Sequence, residues 1–320
     1  MTAKQIFEDL INTQEITGAV TLGLGSFPPE AEVPDYRSLN ISDGLAGEFL
    51  AIVNKYTAAF RKDYGENNLR LLEYDAGYKP YSHEIEWVEF PDVDYLSNLL
   101  NDIPNPADIP LFNQQENEFL KHLRFFVIII QLHQRDPIYC FCTYSKMKEL
   151  SRGKKIFAIK VGDRYEALTQ TGFVFDERID CIASGNFVFS FNKNRFQLIF
   201  RFYDKLKEAA TESLTNIQAC IPIANFSDFS TSCMSHLQKL EKLRNIANKP
   251  YLSRITMEDI RRTIARNRLN VEIVVENGQE KLKFDPKDKW AILNLLDDAY
   301  LESEMTHLNY EVSSKRQLDV

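Results

Sequence analysis

The chain has 320 residues, 44% hydrophobic and 12% aromatic, with a net charge of −8. That length holds one large domain or two ordinary ones, and its 22 Phe and 14 Tyr fill a substantial core. The longest apolar run, FFVIIIQL (Phe125 to Leu132), falls far short of the roughly twenty residues that cross a bilayer. The opening MTAKQIFEDLINTQEI lacks a signal-peptide apolar segment, and no collagenous, mucin-like or prion-like tract is present.

In chain order, a short helix over Ala3 to Leu10 precedes a strand in ITGAVTLGLG. Leu45, Phe49, Ile52, Val53 and Tyr56 then repeat at helical spacing between about Gly44 and Phe60. LRLLEY and IEWVEF read as strands. DIPNPADIPLF, from Asp102 to Phe112, carries three prolines and reads as a connector between domains. Beyond it, FFVIIIQL, IYCFCTY, KIFAIKV, EALTQTGFVF, IDCIA and FVFSF follow as strands separated by turn signals. Helices are predicted over Asn194 to Leu206, over 233–247 and from Thr256, where Thr256 and Asp259 make a capping-box-like start. Asn277-Gly278 between alternating strands predicts a type I′ hairpin. Asp285-Pro286 predicts the start of a last helix carrying Asp297 and Asp298 near its end. Acids there oppose the helix dipole and call for a partner, with Lys315 and Arg316 near in sequence.

The expected fold is therefore α+β: an N-terminal mixed α/β segment, a strand-rich region, then a helical C-terminal part with a β-hairpin. Two domains are expected, an acidic one over 1–115 and a second over 116–320. Cys140, Cys142, Cys181, Cys220 and Cys233 are odd in number and scattered, which speaks against a disulfide framework and for a reducing cytoplasm. Cys140 and Cys142 would share one face of a strand.

Charge is unevenly spread. Met1 to His122 holds 8 basic and 21 acidic residues, a net of −13. Leu237 to Arg268 holds 9 basic and 3 acidic residues, a net of +6. Within it Lys239, Lys242, Arg244, Arg254, Arg261, Arg262, Arg266 and Arg268 form a candidate phosphate-binding strip, because planar guanidinium groups suit phosphate and few acids stand at i±4 to neutralise them. Ile260 and Ile264 would face inward, with Arg262 and Arg266 projecting opposite. Lys146, Lys148, Arg152, Lys154 and Lys155, opposed only by Glu149, make a second basic cluster in a turn. No base-reading motif is visible, so DNA binding by these groups would be tolerant of sequence.

Catalytic signatures are absent. The five histidines form no HxH, HxxxH or HExxH, and there is no GxSxG, P-loop or GxGxxG. Acid-rich candidates are Asp176, Glu177 and Asp180, then Asp297, Asp298, Glu302 and Glu304. A Mg²⁺-dependent nuclease would need such carboxylates to converge; the acids of FDPKDK have a helix-start explanation instead. No enzyme activity, cofactor or metal is expected.

The stretches WAILNLLDDAYLESEMTHLNYEVSSK, with its pattern LLDDxYLxSExT, and IDCIASGNFVFSFNKNRFQLIFRF resemble the DUF4868 family, which takes in the KwaB-like proteins of the Kiwa antiphage system. The resemblance covers mainly residues 120–316. It implies an antiphage effector that binds DNA, blocks phage replication and gene expression, and works with a small multi-span membrane protein, KwaA-like. It transfers no catalytic residues. Combined with the charge map, the expectation is a cytoplasmic homo-oligomer that occludes DNA, recruited to the inner membrane by its partner. The competing expectations are a Mg²⁺-dependent nuclease and an adaptor that binds only protein.

Overall fold

The computed structural model describes residues 1–29, 31, 33–75, 78–89, 103–113, 116–133, 135–144, 149–150, 158–161, 164–167, 172–312 and 315. Two compact units divide the chain: Met1–Glu73 with Pro80–Phe200, and Tyr74–Lys79 with Arg201–Val320.

The first unit runs through α1 (Ala3–Asn12), β1 (Ala19–Ser26), β2 (Asp35–Leu39), α2 (Asp43–Gly65), β3 (Arg70–Glu73), β4 (Glu84–Glu89), α3 (Asn117–Lys121), β5 (Leu123–Gln131) and β6 (Ile138–Thr143). Four short strands follow, β7 (Glu149–Leu150), β8 (Ala158–Val161), β9 (Arg164–Ala167) and β10 (Gly172–Phe173). They pair only as β7–β10 and β8–β9 among the described residues. β11 (Cys181–Ser184), β12 (Phe187–Ser190) and α4 (Lys193–Ile199) complete the unit. Eight strands form one sheet in the order β2-β1-β5-β6-β11-β12-β4-β3, antiparallel except for β3 and β4.

The core follows from β5. Its seven residues from Phe125 to Gln131 include six that are buried without alternation, so both faces of this strand must be covered. On one face Phe126, Ile128 and Ile130 join Phe49 and Val53 of α2, with Cys140, Cys142 and Ile182. The two cysteines do share a face, and burial raises both thiols well above their ordinary range. On the opposite face Phe125 meets Phe141, which meets Phe200 beside α4. A smaller cluster packs Phe7 and Ile11 of α1 against Ile85, Phe187 and Phe189. α1 is started by a capping box in which the Thr2 side chain accepts from the Gln5 amide.

The boundary expected at 115 is corrected. β1 pairs with β5 from Ala19↔Gln131 to Gly25↔Phe125, so strands from either side of 115 share one ladder. The proline-bearing connector is part of the same unit. Ser38 donates its amide to the Pro110 carbonyl at 2.7 Å, and the Phe112 amide donates back to Ser38 at 2.8 Å. This backbone lies along the outer side of β2 and covers an edge that would otherwise stay open.

The second unit contains α5 (Phe202–Cys220), β13 (Ile223–Ala224), α6 (Phe226–Cys233), α7 (Leu237–Ala247), α8 (Met257–Asn267), β14 (Glu272–Glu276), β15 (Gln279–Lys283), α9 (Ala291–Leu296), β16 (Tyr300–Glu302) and β17 (Asn309–Glu311). α5 packs on α7. Tyr74, from the short excursion of the chain, places its ring edge-on to Phe202 at 5.5 Å and donates its hydroxyl to Glu241 at 3.2 Å. The predicted hairpin forms as β14–β15, with Asn277 and Gly278 both at positive φ, 52° and 76°, as a type I′ turn requires.

The α+β class and its order of parts are those expected, but three helix boundaries differ. The helix predicted over 194–206 is two, α4 and α5, because Arg201 adopts a left-handed conformation with φ 53°. The helix predicted over 233–247 starts at Leu237, since Met234 caps α6. The last helix starts at Ala291 rather than at Asp285-Pro286. Asp285 instead accepts from the Lys287 amide at 2.8 Å, and Asp288 accepts from the amides of Trp290 and Ala291 at 3.3 and 3.1 Å.

Gly25 sits where a Cβ would lie 2.2 Å from the ring of buried Phe125. Gly25→Ala is expected to displace that ring and lower stability by about 1–3 kcal/mol, the usual cost of overpacking, which equilibrium denaturation checks.

Candidate nucleic-acid interface

The predicted strip occupies α7, the turn after it and α8, all in the second unit. α7 buries a wide face comprising Lys239, Leu240, Glu241, Lys242, Leu243 and Ile246. Two predicted phosphate ligands are therefore inside the protein. Lys239, 1% exposed, donates to the Ser232 hydroxyl at 2.7 Å and lies 5.4 Å from the centre of the Trp290 ring. Burial pushes its ammonium below the usual lysine range. Lys242, 8% exposed, stands 3.1 Å from the Asp297 carboxylate and donates to Asn294 at 2.9 Å. These placements correct the assignment of Lys239 and Lys242 to a solvent-facing strip: on a helix packed against both α5 and α9, their long side chains find buried acceptors rather than water. Arg244 is half-buried in the last turn of α7.

α8 behaves as its pattern requires at its inner side. Ile260 is buried and Ile264 half-buried. The capping box is made, with Thr256 accepting from the Asp259 amide and Asp259 accepting from the Thr256 amide at 3.1 Å. On the outer side the arginines are less isolated than the i±4 positions imply. Arg261 pairs with Glu258 one turn back and with both oxygens of Glu280 on β15, at 2.6 and 2.5 Å. Arg262 stands 3.8 Å from Asp259. Arg266 pairs with Glu302 on β16, whose carboxylate also meets His307 at 3.3 Å. The neutralising acids come from i−3 and from hairpins distant in sequence. Arg254 and Arg268 are exposed and meet no carboxylate among the described residues. Lys146, Lys148, Arg152, Lys154 and Lys155 lie outside the described residues.

Several of the candidate acids are engaged with other groups of the chain. Asp180 is fully buried and accepts from the amide and hydroxyl of Thr143 and from Arg178. Glu177 meets Lys55 at 3.3 Å. Asp297, 6% exposed, is held by Lys242 and by Asn245 at 3.3 Å. Lys315, named from sequence as a partner, donates to the backbone carbonyls of Asp297 and Asp298 rather than to their carboxylates. The Tyr251 hydroxyl donates to the Leu296 carbonyl at 3.2 Å, and the Val312 amide donates to the Ala299 carbonyl at 2.8 Å. The segment quoted above for its family resemblance is thus a polar lock joining α7, α9 and the C-terminal backbone. Among the described residues no three His, Cys, Asp or Glu side chains converge as metal ligands. No helix among them is long and apolar enough to cross a membrane.

The family described as Kiwa protein KwaB-like matches residues 120–306, more than half of the chain. The chain belongs to this family and is a component of Kiwa antiphage defence. No curated protein and no solved structure matches it.

Asp297→Ala leaves Lys242 buried without its carboxylate, and we expect a stability loss of about 3–5 kcal/mol in urea denaturation. The same lock predicts a response to alkali. Burial, and then nearby carboxylates, push the phenols of Tyr251 and Tyr300 up to about 12 from the usual 10.0. Their contribution is complete below pH 10 and is lost as the pH rises through 12, because the unfolded chain releases those protons first. Thermal midpoints should fall between pH 10 and 12, less steeply in Tyr251→Phe than in the wild type.

Proposed function

We propose, from its place in the KwaB-like family and the arginines around α8, that this chain is a defence effector that binds DNA without strong sequence preference. Bound protein would block phage replication and gene expression by occluding the template. The observation that carries the reading is the exposed row of Arg254, Arg262, Arg266 and Arg268 around one short helix. Two of the four, Arg262 and Arg266, are paired with carboxylates. Exposed pairs of this kind are worth only about 0–1 kcal/mol. A DNA phosphate, which also gains from counterion release, is a fair competitor for the same guanidinium group. Sequence tolerance follows because phosphate contacts position a duplex without reading its bases.

The family reading adds a KwaA-like membrane protein as partner and a homo-oligomer as the acting form, located in the cytoplasm at the inner membrane. A closed symmetric oligomer would multiply the basic surface. No specific observation favours the nuclease, whose candidate acids Asp180 and Asp297 are both held by basic groups.

Fluorescence anisotropy with a short duplex, in the presence of Mg²⁺, tests the reading. Affinity should drop by about 10³ or more between 50 and 200 mM salt if six phosphates are contacted, and the DNA should run intact on a gel afterwards. Arg262→Glu with Arg266→Glu should abolish binding at an unchanged thermal midpoint. Glu280→Gln with Glu302→Gln should strengthen it, since both acids compete with phosphate. Absence of binding at low salt would leave the protein-only adaptor, and cut DNA would establish the nuclease.

A further inference from the structure

The first unit carries a second pair of arginines that the charge map passes over. Arg178 precedes β11 and Arg195 lies in the first turns of α4, 17 residues apart in sequence. Both converge on one fully buried carboxylate, Asp180. Arg178 donates its Nε to Asp180 at 2.9 Å, and Arg195 Nε stands 3.7 Å from the same oxygen. The other carboxylate oxygen accepts from the Thr143 amide at 2.7 Å and the Thr143 hydroxyl at 2.8 Å. The Thr143 hydroxyl in turn accepts from Arg195 at 2.6 Å and, more loosely, from Arg178 at 3.4 Å.

Asp180 itself is fixed by backbone. Its amide donates to the Phe141 carbonyl at 2.9 Å, and its carbonyl accepts from the amides of Phe191 and Asn192 at 3.0 and 3.3 Å. The two guanidinium groups are therefore anchored at one edge while their side chains remain 37% and 38% exposed. Arg178 Nη1 and Arg195 Nη2 have no acceptor among the described residues. Among the described residues a second acid stands at this cluster, Asp176, 3.6 Å from Arg178 and itself partly exposed.

We infer that Arg178 and Arg195 form an anion clamp for a DNA backbone phosphate, an inference that rests on the DNA-binding reading above and adds a site in the first unit. Guanidinium groups held in place before binding lose little side-chain freedom on engaging a phosphate, and their remaining donors match its oxygens. Thr143, which ties both arginines, lies two residues before the stretch 145–155, whose sequence holds five basic residues against one acid.

The test is the salt dependence of duplex binding by the full chain, wild type against Arg178→Gln with Arg195→Gln. Loss of the clamped phosphate should reduce the slope of log affinity against log salt by about 0.9, with affinity about 10-fold weaker at low salt. A wild-type slope and affinity in a folded double variant would overturn the clamp while leaving DNA binding through α8 intact. Failure of the wild type to bind duplex would overturn the DNA reading and the clamp together. Because glutamines leave Asp180 unneutralised, Arg178→Lys with Arg195→Lys decides the matter if the first variant does not fold. It retains both charges and should keep the slope but lose about tenfold in affinity with the planar donors; unchanged affinity in that variant would overturn the clamp.

Discussion

A strand that is apolar on both faces must be covered on both faces, and β5 imposes that condition on the first unit. Phe126, Ile128 and Ile130 require α2 on one side, while Phe125 on the other reaches Phe141 and through it Phe200. The antiparallel partners β1 and β6 are set by the same strand, and Gly25 exists to admit the Phe125 ring. The position of α4 follows from covering the second face. That position brings Arg195 to the end of β6, where Asp180 and Thr143 wait.

Charge in this protein is arranged by tertiary structure more than by sequence blocks. The +6 segment between Leu237 and Arg268 loses Lys239 and Lys242 to the interior and shares Arg261, Arg262 and Arg266 with acids. Two of those acids, Glu280 and Glu302, belong to hairpins that follow α8 in the chain. Their presence tempers a strongly basic helix into one whose exposed guanidinium groups are available but not unopposed. Exposed pairs of this kind are individually weak, so the acids leave these guanidinium groups only loosely held.

Buried polar groups set two places within the family-matched region apart from ordinary core. At one Asp180 joins β6, β11 and α4 through a single carboxylate. At the other Asp297 joins α7 to α9, while Lys315 holds the carbonyls beside it. Removing one member of either set leaves a charge in low dielectric, which is far more costly than never having buried it. Both carboxylates lie in stretches that carry the resemblance to KwaB-like proteins, and both act through architecture.

Local signals in the sequence determined the α+β class, the capping box at Thr256, the Asn277-Gly278 turn, the shared face of the cysteine pair and the inward stripe of α8. Each depends on neighbours within a few residues, where periodicity and capping chemistry act directly. The sequence also carried the family resemblance and the location of basic density. Tertiary structure alone decided that 1–115 and the following strands form one sheet, because β1–β5 pairing joins residues about a hundred positions apart. It alone broke the helix at Arg201, turned Lys239 and Lys242 inward and set Glu280 and Glu302 against the arginines. It alone gathered Arg178, Arg195, Thr143 and Asp180, which no local spacing connects. The physical reason is common to these cases: a long charged side chain takes whichever partner the packed backbone brings within reach, and that partner is chosen by the fold rather than by distance along the chain.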